Sequence, residues 1–480
     1  MTHAAVLGPA AKDAPPIGSA ACPADVLIVG AGVGGAALAL ALVSRFALRV
    51  RVIDRRSGPG NINRGDSLLP AVTGVLRSVG ALPALLSAGA RPVHKMQVFH
   101  ARHGKLLEAP LGPATPAGAL GTHPLDEGTA APYLVLAHPE IERALVETAQ
   151  HGRHNRGAAQ VTYLCRLSHL LRTSEDRGRV CGAVVASEQG EEVIHARLVV
   201  GADGASSSVR TQLGLSLPTQ PYDHGYYIIE CARPSATAGS AAYEDAMRIE
   251  LSREGGILVV PQGRDRLGLG VLVRACDEAL FRAGPLSQKL AAIARRSPLL
   301  SSLGQPGGLA AFPKGAHLYA LHRGHAPHYH RDGAVLIGDA LHVTNPTAGQ
   351  GMTMAIEDAA ALARCIGPVL TRAARGSAIP TASTSESAMR DEERRTGAHH
   401  DIDRALCEYE RERWPKNAAQ IRWSHWLSRF YAWDGAIGEG MHTAIFRFGA
   451  TPLGQRVQRV IWSSLATRTP VATPSVWSPL

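Results

Sequence analysis

The order of apolar and polar positions along the chain predicts alternating strands and helices. From Asp25 to Arg56, a short apolar strand, a glycine-rich turn, an Ala/Leu-rich helix and a second strand follow one another. This is the pattern of a βαβ unit and favours a parallel sheet. A long helix is expected from Gly351. Further helices are predicted over 68–90 and 139–150, paired strands over 161–171 and 180–187, and short buried strands over 198–202 and 334–337.

Other segments predict a separate antiparallel layer and a helical end. Lys95–Leu111 alternates like a hairpin, and 221–275 contains several strand-like runs separated by turns. Residues 112–131 are rich in Pro, Gly, Ala and Thr and are expected to form a loop. The polar stretch 375–402 has few apolar residues and is interpreted as a flexible loop. Residues 403–432 are helical in pattern and rich in tryptophan.

Composition narrows the class of protein. The 480 residues carry a formal net charge of +10, but the basic residues are scattered, which argues against a nucleic-acid partner. The seven cysteines are far apart and form no C-x-x-C pair, so neither a disulfide framework nor a zinc site is indicated, and a cytoplasmic location is expected. No secretory signal or membrane-spanning run is recognisable, and a soluble protein is expected.

Three motifs each follow a predicted strand. The first, Gly30–Gly35, opens a helix whose free N–H groups suit a pyrophosphate, and Asp54 ends the next strand, where it can bind a ribose. The second runs from Gly201 to Arg210; alone it is read more naturally as a polar turn that caps a helix. The third begins with Gly338-Asp339 and continues to a glycine-lined helix start at 349–352.

In this order the motifs resemble the single-component flavoprotein monooxygenases of the para-hydroxybenzoate hydroxylase type, over roughly Asp25–Leu370. The resemblance implies an α/β fold: a Rossmann-like FAD-binding domain of the GR2 type, an antiparallel β-sheet substrate domain and a C-terminal helical segment. The expected organisation is a disordered N-terminus over 1–24; an FAD-binding domain formed by 25–90, 131–220 and 326–374; a substrate-binding domain formed by 91–130 and 221–325; a flexible loop over 375–402; and a helical region over 403–480.

The resemblance also implies which residues contact FAD. Pro346 would border the oxygen-reaction pocket, and the helix start after it would face the pyrimidine edge of the flavin. Two positions depart from the family pattern: Asp54 replaces a frequent glutamate, and His138 stands where many relatives have arginine. The implied cofactor-binding residues are Gly30, Gly32, Val33, Gly34, Gly35, Asp54, Arg55, Arg64, Asp203, Gly338, Asp339, Pro346, Gly349, Gln350, Gly351 and Met352.

The implied reaction consumes NAD(P)H and molecular oxygen and inserts one oxygen atom through a C4a-hydroperoxyflavin. A phenolic or fused-ring aromatic molecule is the expected substrate, because the transferred oxygen is electrophilic. Three alternatives stay open: an epoxidase acting on an alkene, isoprenoid or polyketide, a flavin-dependent reductase, and a nucleotide-binding protein without turnover. No catalytic base is identified.

Other candidate residues have simpler interpretations. Tyr222, His224, Tyr226 and Tyr227 lie on the expected substrate side, but each is read as a sheet or core residue. The C-terminal tryptophans predict packing against the main body, with a lipophilic substrate mouth or a peripheral membrane contact as the alternative. The histidines between 317 and 330 do not have metal-ligand spacing, so no metal is expected; they are His317, His322, His325, His328 and His330.

Overall fold

The computed structural model describes 16–60, 67–111, 131–152, 157–174, 178–232, 246–262, 266–301, 303, 305, 310–376, 385–433 and 435–456. The predicted 112–131 loop therefore lies outside the described residues except for its last residue. The architecture is a mixed α/β fold with two large sheets and a helical C-terminal region, as the resemblance implied.

The first sheet is built on five parallel strands. The order is β17-β18-β11-β1-β2-β8, with β9 and β10 forming an antiparallel extension from β11. The predicted strand 161–171 is wrong as one unit, because the chain turns between β8, which pairs with β2, and β9, which pairs with β10. The strands are β1 Ala24–Val29, β2 Arg49–Ile53, β8 Ala158–Thr162, β9 Arg166–Arg172, β10 Val180–Ser187, β11 Gly190–Gly201, β17 His330–Arg331 and β18 Ala334–Leu336.

Helices cover this sheet because their apolar residues are buried against it. Leu38, Leu40 and Leu42 of the first helix are completely buried, and burial of each leucine contributes about 1.5–3 kcal/mol. A Cβ on Gly367 would overlap the ring of Phe46, so the first and eighth helices pack closely. The helices of this layer are α1 Val33–Phe46, α2 Pro70–Ser78, α3 Leu82–Ser87, α4 His138–His151, α5 Ser208–Gln212 and, later in the chain, α8 Gln350–Gly376.

The second sheet has the order β19-β16-β12-β15-β14-β13-β5-β6, and every pair is antiparallel except β13 with β5. The predicted hairpin is β5 with β6. Helices α6 Glu278–Ala283 and α7 Leu286–Arg296 pack on this layer. The strands are β5 Lys95–His100, β6 Gly104–Pro110, β12 Thr219–Ala232, β13 Ala246–Ser252, β14 Gly255–Gln262, β15 Arg266–Arg274, β16 Ala311–His325 and β19 His342–Val343.

A small third sheet connects the two layers. It consists of β3 Ser67–Leu68, β7 Leu134–Val135 and β4 Arg91–Pro92, in the order β3-β7-β4. Strands of the first and second sheets alternate along the sequence, so the chain passes between the two layers several times. The predicted division into two discontinuous domains remains a prediction.

The predicted flexible loop over 375–402 is wrong for most of its length. Helix α9 runs from Ser385 to Ala432 and is followed by α10, Gly435–Ala450. The polar run satisfies helix propensity even though it offers little apolar surface, since Glu, Arg, Ala and Met are all good helix formers. Among the described residues, no helix has the length and apolar character needed to cross a bilayer.

The N-terminal prediction is also wrong at its boundary. Ile17 packs against the main core, and the carbonyl of Gly18 accepts a hydrogen bond from the backbone of His195 at 2.8 Å. Residues 16–23 therefore have a defined place beside β11, whereas 1–15 lie outside the described residues.

Candidate active site

The first two motifs meet because β1 and β11 are parallel neighbours. Gly30 has φ of +111°, and a Cβ there would lie 2.3 Å from the carbonyl oxygen of Ala202 in the second motif. A Cβ on Gly35 would lie 2.0 Å from the carbonyl oxygen of Gly30. These two glycines are required by the close approach of strand, turn and helix.

The N-terminus of α1 is suited to an anion. Gly32 precedes it without a side-chain cap, and the first turn contains no acidic residue. If Gly32 carried a Cβ, the one atom within 4 Å of it would be Oε1 of Glu142, at 3.7 Å, so there is open space beside Gly32. Backbone N–H groups at a helix start attract phosphate, and this cradle fits an FAD diphosphate. Val33 and Gly34 form the first residues of the helix, as predicted.

Asp54 faces this turn from the end of β2. Its Oδ2 accepts a hydrogen bond from the backbone N–H of Ala31 at 2.8 Å, and its Oδ1 accepts one from the N–H of Arg56 at 2.8 Å. The Arg56 guanidinium also binds the carboxylate. Nε and Nη2 of Arg56 donate to Oδ1 and Oδ2, so all of the about four acceptor positions of the carboxylate are occupied. A ribose hydroxyl would have to replace one of these donors, and the predicted contact remains a prediction. Arg55 is exposed, and Arg64 lies outside the described residues.

Glu142 is a buried acid that sequence reasoning missed. Its carboxylate lies 2.9 Å from Nη1 of Arg56 and accepts a hydrogen bond from the N–H of Gly60 at 2.8 Å. Nε2 of His138 is 3.1 Å from its Oε1. Burial acts to raise the pKa of Glu142, but the bonds from His138, Gly60 and Arg56 outweigh it and lower the pKa on balance. The i,i+4 spacing from His138 on α4 was the available signal.

Asp203 of the second motif serves the helix that follows it. Its Oδ1 accepts a hydrogen bond from the hydroxyl of Ser207, and its Oδ2 accepts from the N–H groups of Ser208 and Val209. Arg210 donates to the carbonyl of Ala340 at 2.9 Å and thereby connects the second motif to the third. The capping interpretation is correct for the side chain, and a contact of Asp203 with FAD remains a prediction.

Asp339 of the third motif differs from the other two acids. It is exposed, and its carboxylate has no hydrogen-bond or ion-pair partner among the residues that the structure describes. The preceding Gly338 has φ of +61°, and its N–H donates to Oδ2 of Asp358 at 3.1 Å. The hydrogen bond to Asp358 thus holds the loop in place, while the Asp339 carboxylate is available to a ribityl hydroxyl, which fits the predicted role.

Asp358 is completely buried beneath this loop. Arg413 donates to its Oδ1 at 2.8 Å, and Nε2 of His342 lies 2.7 Å from its Oδ2. Burial acts to raise the pKa of Asp358, but Arg413 and His342 outweigh burial and the pKa is well below its usual range. The group is therefore ionised and holds the loop to α9.

The start of α8 provides a second helix N-terminus. Gly349 has φ of +63°, its N–H donates to the carbonyl of Pro346 at 2.8 Å, and α8 begins at Gln350 without an acidic residue in its first turn. Gly351 and Met352 continue this turn. Such a helix start favours negative charge on a ring edge placed against it.

The substrate-side residues separate into two groups. Tyr226 and Tyr227 are buried in the sheet, and His224 is buried with Nε2 at 2.7 Å from the Ser428 hydroxyl. These three match the sheet-or-core interpretation. Tyr222 does not, because it is only half-buried and its hydroxyl lies 3.1 Å from Nδ1 of His425 on α9.

In the part of the chain that the structure describes, the histidines between 317 and 330 form no cluster of metal-ligating side chains. Burial lowers the pKa of His325 to about 4, and its Nε2 contacts the hydroxyl of Tyr329. Among the described residues, His100, His103 and Glu439 are the one group that brings three metal-ligating side chains together. However, Nδ1 of His100 accepts a hydrogen bond from a backbone N–H, and Arg253 already pairs with Glu439, the one carboxylate of the group.

The C-terminal aromatic side chains are partly packed and partly exposed. Phe430 is buried against Phe446 of α10, whereas Trp426 and Trp433 are exposed. Ile437 on α10 is 80% exposed. The predicted packing is therefore present, and the alternative of a lipid contact remains a prediction.

Comparison with known proteins identifies the class. A family model described as "FAD binding domain" matches residues 23–392, so the chain belongs to this family. The 6-hydroxynicotinate 3-monooxygenase of Pseudomonas fluorescens is 27% identical over 71% of this chain and 82% of its own length. The 6-methylpretetramide 4-monooxygenase of Streptomyces rimosus is 28% identical over 70% of this chain and 73% of its own length.

A solved structure has the same fold. The p-nitrophenol 4-monooxygenase PnpA of Pseudomonas putida superposes with a TM-score of 0.69 over 93% of this chain and 98% of that one, at 16% identity. Within the FAD-binding family, the protein is an FAD-dependent monooxygenase.

Proposed function

We propose that the protein hydroxylates an aromatic small molecule, phenolic or fused-ring, with NAD(P)H as electron donor and one atom of molecular oxygen. Bound FAD would supply the redox chemistry and oxygen activation, by the hydroperoxide route expected of the family. Support for an aromatic substrate comes from the relatives, since 6-hydroxynicotinate names a ring that already carries a hydroxyl group.

One structural observation carries the proposal. The N-termini of α1 and α8, neither with an acidic residue in its first turn, belong to the FAD-binding layer together with Asp339, whose carboxylate has no partner among the described residues. This layer meets the substrate sheet where Tyr222 lies near Asn345. A flavin held by the two helix N-termini and by Asp339 would thus have its ring beside the Pro346 segment. Hydroxylation requires this placement, because the ring must contact the substrate away from water.

The test begins with the absorption spectrum of the purified protein. Anaerobic and aerobic NADPH and NADH oxidation would follow, with panels of phenols, fused-ring aromatics and polyenes. We expect flavin bands, oxygen uptake stimulated by a phenol or fused ring, and label from ¹⁸O₂ in the product. An epoxide formed only from alkenes would replace the proposal by the epoxidase alternative. Alkene reduction without oxygen incorporation would replace it by the reductase alternative.

Two further predictions accompany this proposal. A cytoplasmic location is consistent with the seven cysteines, all of which are free; fractionation of the producing cells would test it.

A peripheral lipid contact is supported by the exposed Trp426, Trp433 and Ile437, with Arg429 also exposed nearby. Sedimentation with anionic vesicles should then recover the protein, and an Ile437→Glu variant should stay in the supernatant. Equal recovery of both proteins would exclude the contact at this face.

A further inference from the structure

The outer face of α10 carries a stripe of apolar residues. Four large side chains lie on it at spacings of four, four and three residues, which is the spacing of one helix face. Ile437 is 80% exposed, and the other three are each at least 40% exposed. A contiguous apolar stripe on the surface of a folded protein marks a site of contact with a membrane or another partner. The four residues are Ile437, Met441, Ile445 and Phe448.

The aromatic end of α9 is joined to this stripe. Trp426 and Trp433 are exposed, and both rings contact Phe430, with centroid distances of 5.8 Å and 5.6 Å. Phe430 in turn packs against Phe446 of α10 at 5.9 Å. The two tryptophans and the α10 stripe are therefore held by the same buried phenylalanines and form one C-terminal apolar surface. Tryptophan suits contact with a bilayer, because its ring is apolar and its N–H can reach the polar headgroups.

Positive charge accompanies the C-terminal apolar surface. Arg422 and Arg429 are exposed on α9, each within one turn of the first exposed tryptophan, and Arg447 is exposed on α10. Glu439 is the one acid that the structure describes between 417 and 456, and it is buried in an ion pair. Anionic lipid headgroups complement this pattern, whereas a second copy of the chain would bring arginines towards arginines.

The same turn of α9 also contacts the substrate side of the molecule. The hydroxyl of Ser424 donates to the backbone carbonyl of Asn345 at 3.0 Å, and Nδ1 of His425 lies 3.1 Å from the hydroxyl of Tyr222. Tyr222 and His425 are half-buried, so the junction between the FAD-binding layer and the substrate sheet reaches the surface here. Because Trp426 is the next residue of α9, the C-terminal apolar surface begins within one helical turn, about 5 Å, of this junction.

We infer that the C-terminal apolar surface seats the protein on an anionic bilayer, and that the substrate is a ring compound with an apolar tail that is taken up from this bilayer. This assignment rests on the proposed function and narrows its substrate class to lipophilic rings; to the proposed lipid contact it adds the source of the substrate. Acyl chains remove the exposed apolar side chains from water, and the arginines meet the headgroups. The ring can then enter the junction beside Tyr222 while its tail stays in lipid, so the tail is not transferred through water.

The experiment uses the holoenzyme and two forms of one substrate: the ring that gives the fastest turnover in buffer, and the same ring with a dodecyl tail. The tailed ring is dissolved in vesicles of phosphatidylcholine, with or without phosphatidylglycerol. Ile437→Glu is compared with the unaltered protein and with Val193→Glu, which places the same charge at an exposed apolar residue of β11.

Burial of one isoleucine side chain is enough to change partitioning about tenfold. On anionic vesicles, kcat/KM for the tailed ring should therefore fall at least about tenfold in Ile437→Glu and stay unchanged in Val193→Glu. In buffer, all three proteins should turn over the untailed ring within about twofold of one another, since exposed substitutions away from the site have small effects. The unaltered protein should be faster on anionic than on neutral vesicles, and salt should reduce this difference by screening the arginines.

Equal turnover of the tailed ring by Ile437→Glu and the unaltered protein on anionic vesicles would overturn the assignment, as would a tailed ring that is not turned over at all. If Ile437→Glu converts a dimer into a monomer in light scattering and leaves the vesicle kinetics unchanged, a second copy covers the surface and the assignment is wrong. If Ile437→Glu does not fold with flavin bound, Met441→Glu, one turn along the stripe, takes its place. Failure of every ring, with or without a tail, to stimulate oxygen incorporation would instead refute the proposed function.

Discussion

Removal of the Asp339 charge offers the sharpest test of the flavin site. The carboxylate is exposed and has no partner among the described residues, so Asp339→Asn should leave the free energy of unfolding of the apoprotein within about 0.5 kcal/mol. A hydrogen bond from a ribityl hydroxyl to a charged group contributes about 1.5–3 kcal/mol. Since about 1.4 kcal/mol corresponds to a tenfold change, FAD affinity should fall roughly 10- to 150-fold.

The assay is a fluorescence titration of apoprotein with FAD, together with urea unfolding. Glu191→Gln is the matched control, because Glu191 is also an exposed acid, at the start of β11 and thus at the far end of the strand that leads to the second motif. Its affinity for FAD should equal that of the unaltered protein. An Asp339→Asn protein that binds FAD within threefold of the unaltered one would refute the argument that this carboxylate holds the cofactor.

Two further substitutions test the scaffold of the site. Gly35→Ala places a Cβ 2.0 Å from the Gly30 carbonyl oxygen and should destabilise the protein by about 1–3 kcal/mol in urea unfolding, whereas Gly58→Ala, with no atom within 4 Å, should not; equal stabilities would show that the turn relaxes. Arg413→Met leaves Asp358 buried without its cation and should cost about 3–5 kcal/mol at pH 7. The pKa of Asp358 is lower in the folded protein than in the unfolded one, where it is about 4, so ionised Asp358 stabilises the fold fully above that pH. This stabilisation is lost as the pH falls from about 4 towards the lower pKa of the folded protein. The difference in unfolding free energy between the unaltered protein and Arg413→Met should therefore narrow in acid. A cost below about 1 kcal/mol, or one independent of pH, would contradict this account.

The βα turn shows how far local sequence patterns reach. Gly30 and Gly35 were predictable, because only glycine permits the approach of Ala202 and the Gly30 carbonyl, and both contacts follow from strand and helix order. The parallel pairing of β1 with β2 followed from the same unit. The sequence therefore predicts those structural features that depend on residues close together in the chain or on the topology of the family.

Side-chain partners distant in sequence were not predictable. The sequence predicted the local cap that Asp203 forms, but it did not predict the hydrogen bond from Arg210 to the carbonyl of Ala340, 130 residues further along the chain. Likewise, the pairing of Arg56 with Glu142 joins residues that only the folded sheet and α4 bring together.

The largest sequence error and the most informative contacts concern the same element. Helix α9 begins in the stretch predicted as a loop, and it then supplies Arg413 to the Gly338 loop and Ser424 to the Asn345 segment. Both contacts hold the third motif to α9. A shift of α9 should therefore lower flavin affinity through the third motif, whereas damage to the α1 turn should lower it through the first.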